Sequence, residues 1–195
     1  MKQTLWQWLT TPKPVVEPRV PFNPLELGPK NFVTIKFSDF DDKMYVVTSV
    51  QELTRKINGN EHKFADYFLE YEIKLRAYPE GQILALKRIE DLEYNEEVHE
   101  ICKSGSEFTI TDHDNNDEQS TYWRIGDVKN SHNCTVFVGS GGKDFKMEYW
   151  DYSRITKDEA DQDVEEYLFI EMDKDSGRFQ MWLGKQIGKD RLSII

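Results

Sequence analysis

From Asn31 onward, apolar and polar positions alternate with a period of two, the spacing that sends successive side chains to opposite faces of an extended chain. In FVTIKF (Phe32 to Phe37), Val33, Ile35 and Phe37 alternate with polar neighbours, and MYVVTSV (Met44 to Val50) is rich in β-branched residues. The turn-like SDFDDK between them makes the pair a predicted hairpin. QELTRKI (Gln51 to Ile57) predicts one helical turn, and NGNEHK predicts a reversal. FADYFLEYEIKLRAY (Phe64 to Tyr78) reads as one long strand, after which PEG turns the chain into QILALKRI. MEYWDYSRI (Met147 to Ile155) and RFQMWLG (Arg178 to Gly184) supply two further strands. Only RIEDLEYNEEVHEIC (Arg88 to Cys102) spaces its apolar residues, Ile89, Leu92, Val98 and Ile101, at roughly helical intervals. The expected fold class is mainly β: a β-rich α+β arrangement of antiparallel sheets with little helix.

Two stretches a hundred residues apart share one plan. YFLEYEIKLRAYPEGQILALKRI from Tyr67 and YLFIEMDKDSGRFQMWLGKQI from Tyr167 both run aromatic strand, acidic residue, turn ending in Gly81 or Gly177, apolar strand, then Lys-x-Ile. This predicts two related β-rich halves split near residue 105, with DHDNNDEQS among the loops between them. Six of the seven prolines fall between Pro12 and Pro29, where fixed backbone angles and missing N–H donors oppose regular ladders. Ahead of them, TLWQWL sets Leu5, Trp6, Trp8 and Leu9 in a short amphipathic turn, too short to anchor on its own. Residues 1–30 are therefore expected to be an amphipathic turn plus a proline-rich strap, and residues 31–195 a globular body. Trp6 and Trp8 then dock on that body, or else on a partner or a membrane.

A chain of 195 residues, 13% of them aromatic, is long enough to bury a core. Its net charge is −11, from 25 basic and 36 acidic side chains. The first 30 residues hold four basic groups (Lys2, Lys13, Arg19, Lys30) against two acidic ones (Glu17, Glu26), so the acid excess lies in the body. Such a body repels DNA, RNA and anionic lipid, and no nucleic-acid partner is expected. The start MKQTLWQWLTTPKP lacks the apolar run of a signal peptide, and no stretch of 18 apolar residues offers a transmembrane segment. Two cysteines are too few for a disulfide framework, and a cytoplasmic location is the expectation.

Candidate chemistry narrows quickly. In VFVGSGGKDF, Gly139, Gly141 and Gly142 precede Lys143, but the glycine spacing is wrong for a phosphate loop, and Asp144 stands where Ser or Thr is needed. The alternation that follows makes the glycines a hairpin turn. Asp112, Asp114 and Asn116 match the first ligands of a calcium loop, yet Asp117 replaces the glycine at position six and Trp123 the glutamate at position twelve. The run reads as a solvated turn. His99 with Cys102 and His132 with Cys134 form two pairs of soft ligands whose spacing fits no common zinc module, so no metal or cofactor is expected. No nucleophile elbow or activated cysteine is present, and 36 acidic residues guarantee chance carboxylate pairs, which leaves no catalytic residue to nominate.

Several phrases in order resemble the YjfK-like family of bacterial proteins of unknown function. They are NPLELG, IKLRAYPEGQILAL (Ile73 to Leu86), YWRIG (Tyr122 to Gly126), YWDYSRI (Tyr149 to Ile155) and EEYLFIEM (Glu165 to Met172). The resemblance implies a cytoplasmic β-rich protein, encoded near homologues of phage shock protein A, and it carries over no catalytic residue. The functional expectation is a non-enzymatic intracellular binding or adaptor protein with a protein partner of phage-shock type, linked to envelope stress. The alternatives are an acidic immunity-type or antitoxin-like inhibitor of a basic partner and, third, a hydrolase built on dispersed carboxylates. Alternation in the second half, with Tyr149, Phe179 and Met181 assigned to the core, places Trp150 and Trp182 outward as a partner-binding pair, beside the amino-terminal Trp6 and Trp8.

Overall fold

The computed structural model of the chain describes residues 22–36, 43–57, 60–112, 117–126, 132–138, 145–158 and 160–195. Among these residues, twelve strands form one antiparallel sheet. They are β1 (Phe32–Ile35), β2 (Met44–Ile57), β3 (Asn60–Leu69), β4 (Ile73–Ala77), β5 (Ile83–Leu92), β6 (Glu107–Asp112), β7 (Glu118–Arg124), β8 (His132–Val138), β9 (Phe145–Lys157), β10 (Asp163–Asp173), β11 (Phe179–Ile187) and β12 (Leu192–Ile194). Helix α1 (Glu96–Ser104) lies between β5 and β6, and a 3-10 turn at Lys189–Arg191 precedes β12.

Strand pairing closes the sheet on itself. β2 pairs β3, β3 pairs β4, β4 pairs β5, and β5 pairs β11 across the chain. β11 then pairs β10, β10 pairs β9, β9 pairs β8, and β8 returns to β2. This ring of eight strands is a barrel. Two of its staves are long enough to serve two neighbours along one edge. β2 gives Met44–Val46 to β1 and Gln51–Arg55 to β8, while β9 gives Phe145–Tyr149 to β8 and Tyr152–Ser153 to β7. Beyond the ring, β1 carries β12 and β7 carries β6. The strands on either side of residue 105 share this sheet through the β5–β11 pair.

Both sides of the ring are covered, which explains why β4, IKLRA, is buried at every position. Outside, Tyr67, Leu75, Ala85 and Val33 join one core that Leu27 of the amino-terminal segment helps to close. That segment is tied down: the Leu25 amide donates to the Tyr67 hydroxyl, which donates to the Asn23 carbonyl oxygen of the side chain at 2.7 Å. A second outer core gathers Trp150, Tyr152, Ile170 and Phe179 beneath α1 and the β6–β7 hairpin, with Cys102, Phe108 and Tyr122. The third cluster, with Phe64, Leu86, Tyr149, Phe169 and Trp182, is the barrel interior. Strand β11 crosses β5 closely enough that a Cβ on Gly184 would sit 1.9 Å from the Ala85 carbonyl oxygen, so only glycine fits there.

Three local expectations are corrected. QELTRKI is not a helical turn but the continuation of β2, held on both edges by β3 and β8. The single strand expected over Phe64 to Tyr78 is two strands, reversed at Glu70–Glu72. Tyr71 and Glu72 adopt φ of 58° and 61°, a left-handed turn built without glycine or proline and so invisible to turn chemistry. The helix does not begin at Arg88, because Arg88 to Leu92 pair with β11. It starts after Asn95, whose side chain accepts from the Val98 amide. Gly139, Gly141, Gly142, Lys143 and Asp144 lie outside the described residues, while the strands flanking them pair antiparallel, Val136 against Phe145.

Candidate functional site

The barrel interior is charged. Asp66 of β3, Lys74 and Arg76 of β4 and Glu171 of β10 point inward and are at most 3% exposed. Arg76 donates from Nε and Nη2 to the two oxygens of Asp66, at 2.6 Å each, and from Nη2 to Glu171 Oε1 at 2.7 Å. Lys74 bridges the same two acids, 2.9 Å from Asp66 Oδ2 and 2.7 Å from Glu171 Oε1. Two cations and two anions cancel, as burial of charge requires. Aromatic rings complete the shell. The Arg76 guanidinium lies 4.5 to 4.9 Å from the ring centres of Phe64, Phe169 and Tyr149, and the Lys74 ammonium 4.1 Å from that of Trp182. A second pair, Arg55 Nη1 to Asp151 Oδ2 at 2.6 Å, joins β2 to β9 across the lumen.

Titration follows from this packing. Burial alone would raise Asp66, but Arg76 and Lys74 outweigh it and hold the carboxyl below its usual value. Burial lowers Lys74 against the pull of Asp66 and Glu171. Near α1, burial opposes but does not overcome the bonds that His99 and Lys174 make to Glu148, which is also held down. The unfolded chain therefore binds protons first as pH falls past 4.5 and 3.8, the ordinary values for Glu148 and Asp66. The contribution of these two carboxylates to stability is expected to be full above about pH 5 and to be lost progressively below it, which urea midpoints between about pH 6 and pH 3 would show. An unchanged midpoint across that range contradicts the arrangement.

Among the described residues, cavities of two sizes at the barrel bear on its chemistry. One, of about 200 Å3, is lined by Arg55, Phe64 and Tyr78. The other, of about 310 Å3, is lined by Phe68, Phe145 and Met147 together with Glu171, Asp173 and Gln180. Beyond the ring, the lumen-side face continues along β9 onto β7. There Trp123 sits opposite Ser153, and Ile155 lies two residues further along the same face. Trp123 is 56% exposed and Ile155 65% exposed, with Ile125 also at the surface.

The expected outward pair is corrected by this geometry. Trp150 is 0% and Trp182 2% exposed. Trp150 stacks on Phe179 in the outer core, 6.2 Å between ring centres, and Trp182 faces the lumen against Phe68. Trp6 and Trp8 lie outside the described residues. Sequence reasoning passes over Trp123, the one tryptophan at the surface among the described residues, because there it only stands in the place of a calcium ligand. The soft ligands are not assembled among the described residues. His99 bonds to Glu148 at 3.2 Å and to the Tyr94 hydroxyl at 3.2 Å, and Cys102 is buried, its thiol pushed up to about 12 by desolvation. The side chains of His132 and Cys134, like Asp114 and Asn116, fall outside the described residues. No group of three or more His, Cys, Asp or Glu side chains placed to hold a metal occurs among the described residues, and no helix among them is long and apolar enough to cross a membrane.

No family model, curated protein or solved structure matches the chain.

Proposed function

We propose that the chain is a non-enzymatic intracellular binding protein, an adaptor that takes a basic protein partner on the exposed apolar strip of β7 and β9. The observation that carries this reading is Trp123 left in solvent with Ile125 and Ile155, while the other described tryptophans are interred. The strip is rimmed by acid: Glu107 is the cross-strand neighbour of Trp123, and Glu165 that of Ile155. An apolar centre with a charged rim has the make-up of a protein interface, and a net charge of −11 selects partners of opposite sign. The family resemblance adds a cytoplasmic setting and a phage-shock-type partner in envelope stress. The same acid excess supports the second reading, an immunity-type or antitoxin-like inhibitor, whose association rate would fall steeply with added salt. The hydrolase reading gains nothing from the titration, because Asp66 and Glu148 move down, the wrong direction for a general acid.

The test is capture from the native host followed by titration of the purified partner. Trp123→Ala combined with Ile155→Ser is expected to weaken binding by about tenfold or more, with stability within about 1 kcal/mol, since both side chains are largely in water. Equal affinity of the variant, or a partner whose contact face is acidic, overturns the proposal.

A further inference from the structure

The larger cavity combines three features that no part of the binding-protein reading uses. Its apolar lining is polarisable, made by Phe68, Phe145 and Met147. Its polar lining includes the acceptors Glu171 and Asp173. Glu171 is 3% exposed, and both Lys74 and Arg76 bond to its Oε1. No hydrogen bond reaches Oε2 among the described residues, although Glu171 lines the cavity. Asp173 uses Oδ1 to accept the amides of Asp175 and Ser176, both at 2.8 Å, and no hydrogen bond reaches its other oxygen among the described residues. Gln51 and Gln180 add side-chain amides at the same wall.

We propose that this cavity binds a small organic cation, a primary amine with a compact aromatic or aliphatic body. The ammonium group donates to Glu171 Oε2 and Asp173, and the body lies on Phe68, Phe145 and Met147. Sign and size both point this way. Of the carboxylates lining the cavity, Asp91 is paired with Arg178 at 2.8 Å and Glu171 with Lys74 and Arg76, so Asp173, with no ion pair among the described residues, supplies the uncompensated negative charge. Aromatic faces attract cations and repel carboxylates. A volume of about 310 Å3 holds an arylalkylamine and little more, which excludes a nucleotide or a folded peptide segment. An anion would meet Glu171 and Asp173 without a free donor of matching strength. The inference is independent of the strip on β7 and β9.

Phenethylamine, phenethyl alcohol and phenylacetate are the probes, titrated against the full chain by calorimetry and followed by NMR. The amine is expected to bind one per chain, at least tenfold tighter than the isosteric alcohol, with phenylacetate not binding. Intermolecular contacts should link the probe to the rings of Phe68 and Phe145. Asp173→Asn keeps an oxygen for the turn amides and removes the charge, so it is expected to fold normally and weaken the amine at least tenfold. Equal binding of amine and alcohol, contacts mapping elsewhere, or no saturation below about 10 mM overturns the proposal. An Asp173→Asn variant that binds phenethylamine as well as the parent chain also overturns it.

Discussion

Arg76→Met is expected to destabilise the chain by about 3–5 kcal/mol, the range for removing one member of a buried ion group. The reason lies in what stays behind. Without the guanidinium, Asp66 and Glu171 share only the Lys74 ammonium, and the lumen carries one uncompensated negative charge at 0–3% exposure. Asp66 also loses its two-pronged partner, and Phe64, Phe169 and Tyr149 lose the flat group between them. Double substitution of Arg76→Met with Glu171→Leu leaves Lys74 and Asp66, 2.9 Å apart, as a neutral pair. It is expected to lose less stability than Arg76→Met alone, a sign of coupling that additive packing losses could not produce. Urea denaturation of the two variants and the parent decides it. A double variant weaker than the single would show that shape, not charge balance, governs the interior.

Trp150→Ala is expected to lose about 3–5 kcal/mol, the range for truncating a buried aromatic. Trp150 is fully buried, stacks on Phe179 and takes the edge of His99 at 5.9 Å. Its removal opens a void under α1, beside Cys102. A loss below about 1 kcal/mol in calorimetry would place the residue outside the core after all.

The mistaken placement of Trp150 shows what alternation does and does not encode. Period two correctly separated Tyr149 from Trp150 and Lys74 from Leu75, since they lie on opposite faces. It could not say which face turns inward, and the usual assumption that the apolar face is the inside fails here. In β4 the apolar residues Ile73, Leu75 and Ala77 face an outer core, whereas Lys74 and Arg76 fill the lumen. Closure of the ring is equally silent locally, because it depends on β8 meeting β2 and on β5 meeting β11, pairings between residues far apart in sequence. The mainly antiparallel β character was legible because Val, Ile, Phe and Tyr recur at alternate positions in most strands. The strand break at Tyr71–Glu72 was not, because left-handed turns are recognised by glycine and asparagine, and neither is present. The larger cavity draws Gln51, Phe145 and Asp173 from three distant strands or strand ends, a juxtaposition no local motif could announce.

The separation of the lumen partners along the chain also sets a schedule for the nascent polypeptide. Lys74 meets Glu171 across 97 residues, and Arg55 meets Asp151 across 96. At about 5–20 residues per second, synthesis leaves the β4 cations waiting roughly 5–20 s for their β10 acid. During that interval water solvates Lys74 and Arg76, while Ile73, Leu75 and Ala77 on the opposite side of the same strand have the amino-terminal segment and Val33 to lean on. The half of the molecule made first can therefore shield its outer apolar face from neighbouring chains on the ribosome, while its lumen face, where Phe64, Leu84 and Leu86 stand beside the charges, stays open until the remaining staves emerge to close over it.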